Sequence, residues 1–129
     1  MELLLDSHAL LWALYTPAEL PDALVRLLED PSNRLFVSEG SVWELSDKAC
    51  KGRLPLAGSS VAQFMQDIEA LGVKLLAIER ADILASVALP PHHGDPFDRL
   101  FIAQARLRNL TLVSRDPVMA RYDVKTLWR

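Results

Sequence analysis

Four acids stand where an apolar run ends or a helical pattern begins. Asp6 follows Leu3-Leu4-Leu5, and Glu44 sits inside Val42-Trp43-Glu44-Leu45. Asp98 lies in Gly94-Asp95-Pro96-Phe97-Asp98-Arg99, and Asp116 follows Leu112-Val113-Ser114-Arg115. A carboxylate among apolar neighbours is costly to bury unless something positive offsets it. Were the fold to gather all four, each would raise the pKa of the others. A divalent cation with a preference for oxygen ligands, Mg²⁺ or Mn²⁺, is the simplest way to hold them ionised. Because Mg²⁺ keeps waters and also binds phosphates, such a cluster points to phosphate chemistry.

The elements that must position these acids are short. Apolar runs predict strands over residues 1–5, 35–37, 73–77, 111–113 and 124–127. Helical spacing predicts helices over 7–14, 21–30, 41–51, 60–71, 79–89 and 95–108, with a helical turn over 116–121. The start of the 95–108 helix is the best marked, with Asp95 as N-cap, Pro96 at the first helical position and Asp98 in the first turn. Short apolar strands alternating with helices indicate an α/β fold whose parallel sheet is covered on both faces. Ligands of such sheets bind beyond the carboxyl ends of the strands. Asp6 and Asp116 belong at that edge, Asp98 opens a helix that can arrive there, and Glu44 follows the second strand by about two helical turns.

At 129 residues the chain reads as one domain over 1–129. No apolar run approaches the length of a membrane span, and the first residues lack the basic region of a signal peptide. Cys50 is the only cysteine, which rules out an intrachain disulfide and fits a cytoplasmic location. The net charge of −3 argues against a broad electrostatic grip on nucleic acid without excluding it as a substrate.

The chain resembles a PIN domain of the VapC toxin type. The resemblance is carried by Leu4-Leu5-Asp6-Ser7-His8-Ala9-Leu10-Leu11-Trp12, by Ser41-Val42-Trp43-Glu44-Leu45 with Lys48 and Gly52-Arg53-Leu54, and by His92-His93-Gly94-Asp95-Pro96-Phe97-Asp98-Arg99-Leu100-Phe101-Ile102-Ala103-Gln104-Ala105. It continues through Leu110-Thr111-Leu112-Val113-Ser114-Arg115-Asp116, Tyr122-Asp123-Val124 and Leu127-Trp128. It implies a three-layer α/β/α fold around a central, mainly parallel sheet of four to five short strands. It further implies an Mg²⁺- or Mn²⁺-dependent endoribonuclease in which metal-activated water cleaves the phosphodiester, leaving a 5′-phosphate and a 3′-hydroxyl. Asp6, Glu44, Asp98 and Asp116 match the family's acidic quartet, and Ser114 matches the hydroxyl residue beside the last acid. A cognate, VapB-like antitoxin is implied as partner and RNA as substrate. Arg99 and Arg115 adjoin the acids and are the candidates for holding phosphate.

Simpler roles stand beside these. Asp6, Asp95 and Asp116 could each be a helix cap, and Glu44 could pair with Lys48 one turn on. His92 and His93 read as exposed connectors after Pro90-Pro91, while His8 is an open candidate for a substrate contact. Trp12, Trp43 and Trp128 read as core or interface residues, and the arginines Arg106, Arg108 and Arg121 as a solvated face. Trp12, Leu14 and Tyr15, with Leu54, Leu56 and Val61, offer apolar surface to an antitoxin helix, Leu14 and Leu56 belonging rather to the core. A homodimer is expected from the apolar fraction. Rival functions are a catalytically silent PIN-fold binding module and a phosphoacceptor receiver-like domain. An aspartyl-nucleophile phosphatase is disfavoured, since it needs a second acid where His8 stands.

Overall fold

A computed structural model describes residues 1–54, 56–58 and 60–129. Strand β1 (Glu2–Leu5) leads into helix α1 (Ser7–Tyr15), then α2 (Asp22–Glu29), β2 (Arg34–Ser38), α3 (Glu39–Cys50) and α4 (Val61–Ala70). β3 (Lys74–Leu76), α5 (Arg80–Val87), α6 (Pro96–Arg108), β4 (Thr111–Val113) and β5 (Thr126–Leu127) complete the chain. Single 3-10 turns lie at Pro17–Glu19, Leu56–Gly58 and Pro117–Arg121. The first two lie outside the elements that the apolar spacing predicts.

All five strands are parallel, in the order β3-β2-β1-β4-β5. Because neighbouring side chains alternate across a sheet, the core divides in two. Leu3, Leu5, Val37 and Val113 face α1, α2, α3 and α4 through Ala9, Leu10, Leu24, Leu45 and Phe64. Leu4, Phe36 and Leu112 face α6 through Phe101, Ile102 and Ala105. This is the three-layer α/β/α arrangement expected. Chain direction across the sheet reverses between β1 and β4, so their carboxyl ends flank a crevice.

Local signals explain the helix starts. Asp95 Oδ1 accepts from the N–H groups of Phe97 and Asp98, at 2.8 and 3.3 Å, above Pro96 in the first turn. Asn109, in the left-handed region at φ 54°, ends α6. Helix α3 begins at Glu39 rather than at residue 41, with Ser38 Oγ accepting from Gly40 N–H at 3.0 Å. Gly40, within the first turn of α3, looks in sequence like a helix breaker. It is instead a point of close approach, where a Cβ would lie 2.7 Å from Leu100 Cδ2 and 3.3 Å from Phe101 Cε1. The missing side chain lets α3 pack directly on α6, which draws Glu44 towards the Asp98 end of that helix.

One expectation fails in this layer. Arg108 does not join a solvated face: its guanidinium forks onto buried Asp82, with Nη1–Oδ1 at 2.8 Å and Nη2–Oδ2 at 3.0 Å. Burial pushes the Asp82 pKa up, but Arg108, the Glu79 N–H and Gln104 outweigh it and hold the carboxyl below its ordinary range. Removing one partner of such a pair strands the other charge. Arg108→Ala is therefore expected to lose about 3–5 kcal/mol of stability. Adding Asp82→Ala should recover part of that loss in urea unfolding. A single variant unfolding at the wild-type urea concentration would contradict this role.

Candidate metal centre

The acids reach the crevice from four elements. Asp6 closes β1, its N–H donating to Val113 O of β4 at 3.1 Å, and its buried carboxylate caps α1 by accepting from Ala9 N–H at 2.8 Å. Asp116 follows β4 and caps the 117–121 turn, Oδ1 accepting from Val118 N–H at 2.9 Å. The Asp116 N–H donates to Ser114 Oγ at 3.1 Å, and Ser114 also hydrogen-bonds Asp6. Glu44, buried on α3, accepts from Ser7 Oγ at 2.6 Å and from Lys48 Nζ at 2.9 Å. Asp98 projects from the first turn of α6. The capping roles and the Glu44–Lys48 pair weighed as simpler readings are all present, and they coexist with convergence: each helix cap uses Oδ1 of its carboxylate, and Oδ2 of Asp116 meets His93.

Electrostatics record that convergence. Asp98 is pushed up to about 7, first by burial, then by the like charge of Asp95, with Asp6 and Glu44 adding to the push and His93 opposing it. The Asp6 carboxyl is also raised, chiefly by burial, with Asp116 contributing and Ser114, Ala9 and His8 pulling the other way. Lys48 is raised through its hydrogen bond to Glu44 and also feels Asp95 and Asp98. Asp98 thus feels Asp6 and Glu44, and Asp6 feels Asp116.

The histidine read as a connector is part of the site. His93 Nε2 lies 2.9 Å from Asp116 Oδ2 and 3.2 Å from Asp98 Oδ2. Its Nδ1 accepts from the Asp95 N–H at 3.1 Å, which assigns the ring proton to Nε2. The ring N–H therefore clamps Asp98 and Asp116 together, and one ligand atom from each of the three residues lies within 4.8 Å of the others. Arg99 takes a different part from the one expected. It donates to the carbonyls of Ser86, Leu89, Pro90 and His93 and to the Tyr122 hydroxyl, so its fork ties down the loop that carries His93. Arg115 stays exposed, its guanidinium 5.8 Å from the Trp12 ring centroid. Asp6, Asp116, His8, Trp12, Arg115 and Pro117 line one open cleft of about 340 Å³. A larger concavity of about 460 Å³ at Arg106, Asn109 and Asp123 holds none of the quartet, so chemistry rather than size locates the site.

The residues present fit a divalent cation. The donors are carboxylate oxygens with flanking hydroxyls, a set suited to Mg²⁺ or Mn²⁺ rather than to a soft metal. Asp98, pushed towards neutrality first by burial and then by the like charges of Asp95, Asp6 and Glu44, carries a strain on its ionised form that such an ion would relieve.

Comparison with known proteins agrees with this architecture. The PIN domain family model matches residues 3–125. No curated protein matches the chain in sequence. The fold is similar to that of a chain in the crystal structure of VapBC2 from Rickettsia felis bound to a DNA fragment from their promoter, with TM-score 0.72, 16% identity and 100% of both chains covered. It is similar to a chain of DNA-bound VapBC from Salmonella typhimurium, with TM-score 0.71, 14% identity, and 98% of this chain and 97% of that one covered. A chain of FitAcB from Neisseria gonorrhoeae matches with TM-score 0.65 and 18% identity over 97% and 96%. At these identities the likeness is one of fold. Nearly the whole chain falls within the matched family model, and the chain belongs to the PIN domain family.

Proposed function

We propose that this chain is a VapC-type toxin, a metal-dependent endoribonuclease restrained by a cognate VapB-like antitoxin. The observation that supports it most is the meeting of Asp6, Glu44, Asp98 and Asp116 at the crevice where strand order reverses. An Mg²⁺ or Mn²⁺ ion held by these carboxylates would make water a better nucleophile at neutral pH and offset the charge of the phosphodiester. The chain's own part is positioning. The Ala9 and Val118 N–H groups orient Asp6 and Asp116, and Ser7 and Lys48 orient Glu44. His93 keeps Asp98 and Asp116 in register, buried Ser114 braces Asp6 and the Asp116 N–H, and Arg115 lines the cleft that a phosphate would enter. The preference for RNA rests on the family resemblance.

The antitoxin reading is supported by a groove of about 350 Å³ between α1 and α4, lined by Ala13, Leu14, Tyr15, Asp67, Ala70 and Leu71. Leu56 is buried in the core, as expected of it, whereas Leu14 lines this groove. Self-association is supported by the exposed Ile83, Leu84 and Val87 of α5 and by exposed Trp43, which shares an apolar concavity with Ile83. Among the described residues no helix is long and apolar enough to cross a membrane. A cytoplasmic location remains part of this proposal.

The test is to incubate the purified chain with a mixed single-stranded RNA pool and Mg²⁺, Mn²⁺ or EDTA, then map the ends. Cleavage with either metal, none with EDTA, and 5′-phosphate ends are expected. RNA left intact in both metals would contradict the nuclease reading and favour the silent binding module.

A further inference from the structure

The cleft that holds Asp6 and Asp116 has a second wall, of which the chemistry above uses only the charge of Arg115. His8, Trp12 and Arg115 form it, and all three are flat side chains. The His8 ring stacks on Trp12 with centroids 5.6 Å apart and planes 29° from parallel. Trp128 supports Trp12 from another side, at 5.6 Å and 57°. The Arg115 guanidinium also lies against Trp12, 5.8 Å from its centroid. Trp12 is half-buried against the core, whereas His8 and Arg115 are exposed. Trp12 and Trp128 are thus a fixed backing, and His8 and Arg115 are plates standing on it with faces open to solvent.

We infer that His8 and Arg115, backed by Trp12, form a nucleobase-stacking subsite that holds a base of a single-stranded substrate beside the scissile phosphate. This inference rests on the nuclease reading and names how that site would grip its strand. Unpaired bases stack on aromatic rings and on guanidinium planes, and such stacking tolerates any sequence. A base on the outer face of His8 would extend the Trp12–His8 stack by one plate. The subsite also answers a question raised by composition. A chain of net charge −3 lacks a broad positive surface for nucleic acid, so grip must come from local contacts. Arg115 is suited to give two of them, a plane for the base and a charge for the adjoining phosphate. The wall shares its cleft with Asp6 and Asp116, so a base held there has its phosphate next to the acids. A protein helix could also cover Trp12, but stacked plates opening beside clustered carboxylates suit a nucleotide better than an apolar side chain.

The test is fluorescence-anisotropy titration of a labelled mixed-sequence single-stranded RNA, and of the same RNA as a duplex, with Ca²⁺ replacing Mg²⁺. His8→Ala and Arg115→Ala, both at exposed positions, are expected to weaken single-strand binding about five- to a hundredfold each. His8→Phe should restore it. Arg115→Lys should keep the salt dependence of binding but not the affinity, because it retains the charge and loses the plane. Duplex binding should be indifferent to His8, since paired bases are already stacked. Equal single-strand affinity in wild type, His8→Ala and Arg115→Ala would overturn the subsite, even if the wild type cleaves RNA. Variants that keep RNA affinity but no longer copurify with a co-expressed antitoxin would overturn it too, making the wall a protein-binding surface. A wild type that binds through His8 and Arg115 yet cleaves nothing in Mg²⁺ would sustain the subsite and sink the nuclease reading. A wild type that binds no RNA would end both.

Discussion

Replacing Asp98 by Asn is expected to abolish RNA cleavage while making the metal-free protein more stable. The amide keeps the shape of the side chain and still accepts from His93 Nε2, but it removes a charge that burial and Asp95, Asp6 and Glu44 all disfavour. Loss of a metal-binding carboxylate should lower the cleavage rate about a thousandfold or more, the scale of several kcal/mol of transition-state stabilisation. The opposing loss of a favourable first-turn charge in α6 is worth only about 1 kcal/mol or less. The melting temperature without metal should therefore rise. Asp6→Asn should be equally inactive, and its amide oxygen can still cap α1 through Ala9 N–H. Cleavage at a wild-type rate by either variant would remove that residue from the site.

The second large effect is a pH dependence that metal erases. Between the ordinary carboxylate value of 3.8 and its folded value of about 7, Asp98 holds a proton in the folded protein that it loses on unfolding. Stability from this group is complete below about pH 4 and is lost as pH rises to about 7, after which the curve flattens. Asp6, raised as well, acts in the same direction. Asp82, lowered, adds stability that disappears only in acid, outside this window. Across the window the loss is on the order of a few kcal/mol. Millimolar Mg²⁺ or Mn²⁺ should offset it, adding roughly 2.7 kcal/mol at a hundredfold excess over its Kd. Metal-free melting temperatures should fall between pH 5 and pH 7.5, and the fall should shrink with metal. A melting temperature indifferent to both pH and metal would contradict a shared charge burden among these acids.

Much of this site was legible in the sequence because its acids sit at element boundaries. An acid directly after an apolar strand, as Asp6 is, can point only towards the carboxyl edge of a parallel sheet. Asp95 and Pro96 mark a helix start by capping chemistry alone, which places Asp98 in the first turn. Long-range packing was harder to see. His93 meets Asp98 and Asp116 from a loop that Arg99 ties back, and no local pattern announces five hydrogen bonds from one guanidinium to partners 6 to 23 residues away. The local signal for His93 lies in Gly94-Asp95, since the Asp95 N–H is what orients the ring. Arg99 adjoins Asp98 in sequence but not in space, since consecutive residues on a helix point about 100° apart. Gly40 shows the same limit. Its role depends on Leu100 and Phe101, sixty residues away, and so its turn-like appearance misled.

The central claim is that Asp6, Glu44, Asp98 and Asp116 make one divalent-cation site. Calorimetric titration of the purified chain with Mn²⁺ tests it most directly, run at pH 7 in two buffers of different ionisation enthalpy. The account predicts saturable binding with release of a fraction of a proton from Asp98, and its loss or severe weakening in Asp6→Asn and Asp98→Asn. Binding that releases no proton and is unchanged in both variants, or no binding at all, would contradict it.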